Sequence, residues 1–276
     1  MQKIINMKKF FKGWYFKCQS NKYTLALIPS YHKIKNKEYF FLQIITDKSS
    51  FYIKLSESKE YYFGYDGILI NFISENISVK GSLSFGPLST IKFDIMGPFA
   101  CIPFMECKHS VYSMKHTVNG FLSINGEEFI FNNDIGYIEG DQGYSFPKEY
   151  AWTHCFFKDG SLMLSVADIP LKIYNFTGVI CVIHWQGKEY RLASYLGAKV
   201  TKINDGEIII KQNDFILKVK LLEKNHRLLS APANGIMNRK IKESIICKAS
   251  YHLQKNNKTL FSFISNRASF EYEYHN

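Results

Sequence analysis

The feature that most constrains this chain is the density of short strand-like segments along it. In the first half they fall at residues 23–28, 39–46, 67–73, 77–85, 120–124 and 128–131. In the second half they fall at 162–167, 178–184, 208–211, 215–222 and 260–264. Each is rich in β-branched and aromatic residues, whose stiff or flat side chains suit a pleated, half-buried surface. Turn formers such as Asn125-Gly126, Asp205-Gly206 and Asn256-Asn257 separate them, because these residues enter the left-handed backbone region at little cost. Only residues 236–246 hint at a helix. Many short strands joined by tight turns predict an all-β chain built of antiparallel sandwiches or barrels.

The two halves read alike. With Trp14 set against Trp152, Trp14-Tyr-Phe-Lys-Cys18 falls opposite Trp152-Thr-His-Cys155. Further on, Leu25-Ala-Leu-Ile-Pro29 meets Val166-Ala-Asp-Ile-Pro170, and Lys37-Glu38-Tyr39 meets Lys188-Glu189-Tyr190. Lys108-His109-Ser110-Val111 then meets Lys242-Glu243-Ser244-Ile245, and residues 135–139 meet 268–272. The preserved order predicts an internal duplication. The expected joint is Gly140-Asp-Gln-Gly-Tyr-Ser-Phe-Pro147, which gives an N-terminal barrel at 1–143 and a C-terminal barrel at 144–276. A barrel of about eight strands just encloses one small ligand.

Charge and motifs narrow the function. The net charge of +11 comes from 35 basic and 24 acidic residues, but only Arg191, Arg227, Arg239 and Arg267 among the basic ones are arginine. Nucleic-acid surfaces cluster their charge and use arginine forks, so no nucleic-acid partner is expected. A peripheral attraction to anionic lipid fits scattered lysines better. Cysteines 18, 101, 107, 155, 181 and 247 form no CxxC pair, which argues for reduced thiols rather than zinc or disulfide staples. The start lacks the apolar stretch of a signal peptide, and no run of 18 apolar residues occurs, so a cytoplasmic location is expected. Hydrolase, NTPase and dehydrogenase fingerprints are missing.

The candidate catalytic residues are Glu139, Asp141 and His109. Glu139 and Asp141 are two apart, so on a strand both project to one face. Two close carboxylates raise one another's proton affinity, and burial adds to this, which yields a neutral carboxyl able to donate near neutral pH. The competing reading is a solvated linker, favoured by Gly140 and Gly143. His109 and His116, seven apart, fall on opposite strand faces, so no metal site is expected. His109 is expected to hydrogen-bond inside or at the mouth of a barrel. Trp152 and His154 share a strand face. Trp14, Tyr15, Tyr137, Phe146, Trp152 and His154 are the candidate ligand-binding residues, with ordinary core packing as the alternative.

Three segments resemble the tocopherol cyclase family: Gly13-Trp-Tyr-Phe-Lys17; Met96-Gly-Pro-Phe99 with Pro103-Phe-Met-Glu-Cys-Lys-His-Ser-Val-Tyr-Ser-Met114; and Gly136-Tyr-Ile-Glu-Gly-Asp-Gln-Gly-Tyr-Ser-Phe-Pro147 running into Tyr150-Ala-Trp152. A fourth, Leu229-Ser-Ala-Pro232 through Gly235 and Glu243-Ser244, is similar to the second half of that family and of carotenoid-hydratase-type two-barrel proteins. The resemblance implies lipocalin-like barrels and closure of a prenylated hydroquinone to a chromanol. That isomerase chemistry needs no cofactor and no metal. It needs a proton donor, a dry apolar cavity and aromatic faces for the cation. The expected function is therefore acid-assisted cyclisation or isomerisation of a prenylated or other lipophilic substrate. The alternative is non-catalytic binding or transport of a small hydrophobic ligand.

Overall fold

The computed structural model of the chain describes residues 9–55, 60–102, 105–170, 175–223, 226–233 and 236–274. Pro103, Phe104 and Gly235 of the resembling segments, and the first eight residues, lie outside these. The described residues form two compact units. One comprises 1–92, 109–144 and 232–237; the other comprises 93–108, 145–231 and 238–276.

The first unit holds β1 (Lys9–Gln19), β2 (Thr24–Ile34), β3 (Lys37–Thr46), β4 (Ser50–Leu55), β5 (Glu60–Phe63), β6 (Gly67–Ile73), β7 (Ser78–Phe85), β8 (Cys107–Ile124) and β9 (Glu127–Gly143). They make one sheet in the order β4-β3-β2-β1-β9-β8-β7-β6-β5. The second sheet holds β10 (Tyr150–Phe157), β11 (Gly160–Pro170), β12 (Asn175–Trp185), β13 (Lys188–Ala193), β14 (Lys199–Asn204), β15 (Glu207–Gln212), β16 (Phe215–Glu223), β17 (Arg227–Ala233), β18 (Ile236–Lys255) and β19 (Lys258–Tyr272). Its order is β13-β12-β11-β10-β19-β18-β16-β15-β14, with β17 paired to β18 off that path. The two orders are the same once β17 is set aside, as a duplicated unit requires.

Strand periodicity places the cores. Along β6, Ile68, Ile70 and Phe72 are buried while Leu69, Asn71 and Ile73 are exposed, the period of two that a one-sided sheet imposes. The first core draws Ile53 and Leu55 from one end of the strand order and Ile68 and Ile70 from the other, so the sheet curls around its own apolar face. The second core joins Leu162, Leu164 and Ile183 to Ile208, Ile210 and Leu217 in the same way. Each such side chain contributes about 1.5–3 kcal/mol by leaving water. Hairpin tips at Asn125-Gly126 and Asp205-Gly206 have both residues at positive φ, the primed-turn geometry whose twist matches that of the strands it joins.

Two sequence expectations change here. Residues 236–246 are strand, not helix, because they begin the twenty-residue β18. Ladder partners such as Glu243↔Glu271 and Ser244↔Phe270, with Ile241 and Ile245 buried, outweigh a weak local preference. The repeat alignment also slips by one residue. Cys18 and Cys155 are both buried in their cores. Counting back from them, Tyr15 opposite Glu139 corresponds to Trp152 opposite Glu271. Trp14 packs on the first core, the other face of the strand, since a one-residue slip reverses every side chain. No described helix is long and apolar enough to cross a membrane.

His116, on the core side of β8, is buried beside Phe85 with ring centroids 4.7 Å apart. Its Nε2 lies where a Cβ on Gly136 would come within 2.3 Å, so any larger residue there would have to displace the histidine ring. Burial lowers its pKa from 6.5 to about 4. An unfolded chain protonates this histidine below about 6.5 while the folded chain does not, so stability falls as pH drops from about 6.5 to about 4. The full loss is about 3 kcal/mol. Urea titrations of the wild type and His116→Leu across that range should show this slope in the wild type and its removal in the variant.

Candidate functional site

Around the β1–β9–β8 ladder, the sheet face turned away from the first core is itself buried. Even-numbered residues of β9 near its end, such as Ile138, face the core, so Tyr137, Glu139 and Asp141 face the other way. Tyr137 is 0% and Glu139 5% exposed there. From β1, Lys17 stands opposite Tyr137, Tyr15 opposite Glu139 and Gly13 opposite Asp141. A side chain at 140 is barred, because its Cβ would meet the Gly13 carbonyl oxygen at 2.7 Å. Gly140 thus lets β1 and β9 close up beneath the two acids, which is a structural reason for a glycine there other than a loose linker.

His109, near the start of β8, completes the group. Its Nδ1 is 3.0 Å from Asp141 Oδ1 and its Nε2 is 3.2 Å from Glu139 Oε2. The first contact is a hydrogen bond. The second is an ion pair without hydrogen-bond alignment. With both ring nitrogens facing carboxylates, the imidazole is held as the doubly protonated cation. Burial by itself pushes the His109 pKa down. The charges of Asp141 and then Glu139 outweigh it and hold the group well above its usual 6.5. The Tyr137 hydroxyl donates to the same Glu139 Oε2. Burial, reinforced by the Glu139 charge, raises the phenol's pKa well above 10, so it stays a neutral donor. Asp141 is the open side of the group, with 23% of its side chain exposed against 7% for Glu139.

The structure thus brings together Glu139, Asp141, His109, Tyr137 and Tyr15. It does not bring Trp14 to them, since Trp14 lies on the core face with Lys12 Nζ 4.6 Å over its ring. His109 stands outside the first barrel's core, on the face opposite His116. Two neighbours were not singled out from sequence. Lys17 is fully buried on the acid face. Tyr112 is pushed up to about 12 by burial and by its neighbour Tyr65, with a smaller contribution from Asp141. Neither belongs to a spacing pattern that marks it in advance.

Phe146, Trp152 and His154 belong to the second unit. Trp152 and His154 are buried on the face of β10 away from the second core, with Tyr150 beside them. Tyr150 donates to Glu271 Oε2 and packs edge-on to Phe146 at 6.1 Å. His154 meets Phe156 edge-on at 4.6 Å. Glu243 is directly opposite Glu271. Glu273 is 3.5 Å from Arg239 Nη2, and Arg239 also donates to the Pro147 and Lys148 carbonyls. By the register above, Glu271 and Glu273 correspond to Glu139 and Asp141, and the sequence match of Lys108-His109-Ser110 with Lys242-Glu243-Ser244 sets Glu243 against His109. Both halves therefore carry an acid pair at the end of the last strand, Glu273 standing just past the end of β19. The first pairs it with an imidazole and the second with a guanidinium. The equal two-residue spacing of Glu271 and Glu273 was the available signal, hidden by the one-residue slip.

No protein-family model and no curated protein sequence matches the chain. Solved structures do. Kievitone hydratase from Nectria haematococca aligns with a TM-score of 0.53 at 10% identity, over 96% of this chain and 88% of the hydratase. CghA aligns at 0.59 and 8% identity, over 98% of this chain and 90% of CghA. CghA with Sch210972 aligns at 0.59 and 9% identity, over 97% and 90%. The fold is the two-domain lipocalin-like one. At these identities the likeness establishes architecture, and function has to be argued from the site.

Proposed function

We propose that the chain is an acid-assisted enzyme acting on an alkene-bearing lipophilic substrate, by cyclisation, isomerisation or hydration. The observation that carries this reading is the buried His109 imidazolium between Glu139 and Asp141. Asp141 holds the Nδ1 proton in a hydrogen bond, and the Nε2 proton, buried 3.2 Å from Glu139 Oε2 without hydrogen-bond alignment, is the one delivered in this proposal. In the proposed step the alkene π electrons form a C–H bond with that proton, giving a tertiary cation and neutral imidazole. A phenolic oxygen of the substrate, or water, then forms the C–O bond. The proton it releases returns to Nε2, so no redox partner is consumed. The carboxylates keep His109 charged at neutral pH but weaken it as an acid. Cation stabilisation by the rings of Tyr15 and Tyr137 and exclusion of water must therefore lower the barrier.

The resemblance to tocopherol cyclases favours ring closure of a prenylated hydroquinone, and a hydratase of the same fold favours water as the alternative nucleophile. Both begin with the same protonation. The test is incubation of the protein with a prenylated hydroquinone in deuterium oxide, followed by mass spectrometry of the extract. Turnover should place one deuterium on carbon at the former alkene, and His109→Gln should suppress it by about 10²-fold or more. Recovery of unmodified, tightly held ligand without carbon deuteration would instead favour a non-catalytic binder.

A further inference from the structure

A second surface, independent of the acid group, lies on the outer face of β14–β15–β16–β18–β19. Three cross-strand rows build it. The first is Lys199, Lys211, Ile216 and Gln254. The second is Lys202, Ile209, Lys218, His252 and Ser262. The third is Glu207, Lys220, Ser250 and Ile264. All five lysines are exposed, and Ile264 is 60% exposed. A groove of ≈ 490 Å³ runs between the second and third rows, lined by Lys218, Lys220, His252 and Ile264 together with the Glu207 carboxylate and the rings of Tyr251 and Phe263. The one acid in the rows, Glu207, is taken up by Lys202 at 2.6 Å; further acids, Asp205 and Asp214, stand at the adjoining hairpin turns.

We propose that this face docks on an anionic lipid surface, with phosphate head groups seated in the groove. Five lysines against one paired glutamate give the charge complementarity. The hydrogen bond from Lys202 and the charges of Lys202, Lys220 and Lys218 hold the Glu207 carboxyl below its usual range, which reports the positive field there. The isoleucines between the lysines offer nothing to a soluble anion, whereas at a bilayer interface they meet the acyl boundary. The rows hold no arginine for phosphate forks and, apart from His252, no aromatic ring; of the rings lining the groove, Tyr251 is buried and Phe263 only partly exposed, so the surface lacks the stacking platform that nucleic-acid surfaces use. A lipophilic substrate would reach the protein from the same bilayer.

The test is co-sedimentation of the full chain with vesicles of pure phosphatidylcholine and with vesicles containing about one-third phosphatidylserine. Binding should be confined to the anionic vesicles and fall steeply with added salt. Each lysine at such a surface is worth about fivefold in affinity, so Lys218→Gln with Lys220→Gln should weaken binding about 25-fold. The pair Lys80→Gln with Lys115→Gln, exposed on the first unit, should leave it unchanged. The proposal is overturned by equal binding to both vesicle types, by no binding to either, or by equal losses in the two variants. It is also overturned if inorganic phosphate or duplex DNA binds the groove lysines while anionic vesicles do not. The wild-type salt and vesicle comparison decides the matter even if a variant folds poorly. Turnover of a soluble substrate analogue reports separately on His109 and Glu139.

Discussion

His109→Gln is expected to lower kcat by about 10²- to 10⁴-fold, the range for loss of a positioned proton donor, with KM little changed. Glutamine keeps a hydrogen-bonding side chain between the carboxylates but carries no proton it can give up. The pH profile distinguishes this role from a structural one. His109 is held well above 6.5 by Asp141 and Glu139 against the effect of burial. Activity that needs the imidazolium should therefore persist through neutral pH and fall on the alkaline side, as the proton is lost. Steady-state rates from pH about 6 to about 10 check this. A flat profile in the wild type, or a His109→Gln enzyme with full activity, would remove His109 from the chemistry and return weight to ligand binding.

The second large effect is on stability. Removing His109 withdraws the cation that the buried Glu139 and the partly exposed Asp141 face, and breaking a largely buried ionic group in this way costs about 3 kcal/mol. Its sign with pH follows from the raised pKa. Below about 6.5 both folded and unfolded chains carry the proton, and the contribution of His109 is fully present. As pH rises past that value the unfolded chain releases the proton while the folded chain retains it. The contribution then declines and is gone once pH passes the folded pKa. Denaturant titrations should show wild-type stability declining toward alkaline pH, with His109→Leu less stable at neutral pH and flatter above it. Glu139→Gln in the His109→Leu background should recover part of the loss, since it removes one of the charges left behind.

The opposite behaviour of the two histidines follows from strand parity. His109 and His116 are seven apart on β8, so one meets carboxylates and the other meets Phe85 and the core. That much was readable from spacing. What each face would contain was not, because Glu139 and Asp141 reach His109 across a ladder joining residues about thirty apart, a pairing no local pattern encodes.

Local chemistry wrote much of the fold into the chain. Aromatic and β-branched segments between residues able to adopt positive φ leave few structures other than curled antiparallel sheets, and Glu139 and Asp141 share a face because a strand repeats every two residues. Tertiary structure decided the rest. It set the register that puts Tyr15, and not Trp14, opposite Glu139, and it turned residues 236–246 into strand. It also buried the sheet face away from the first core, so that the two acids hold a protonated histidine between them instead of both facing water. Register and burial are properties of partners distant in sequence, and a single segment carries no record of which neighbour it will meet.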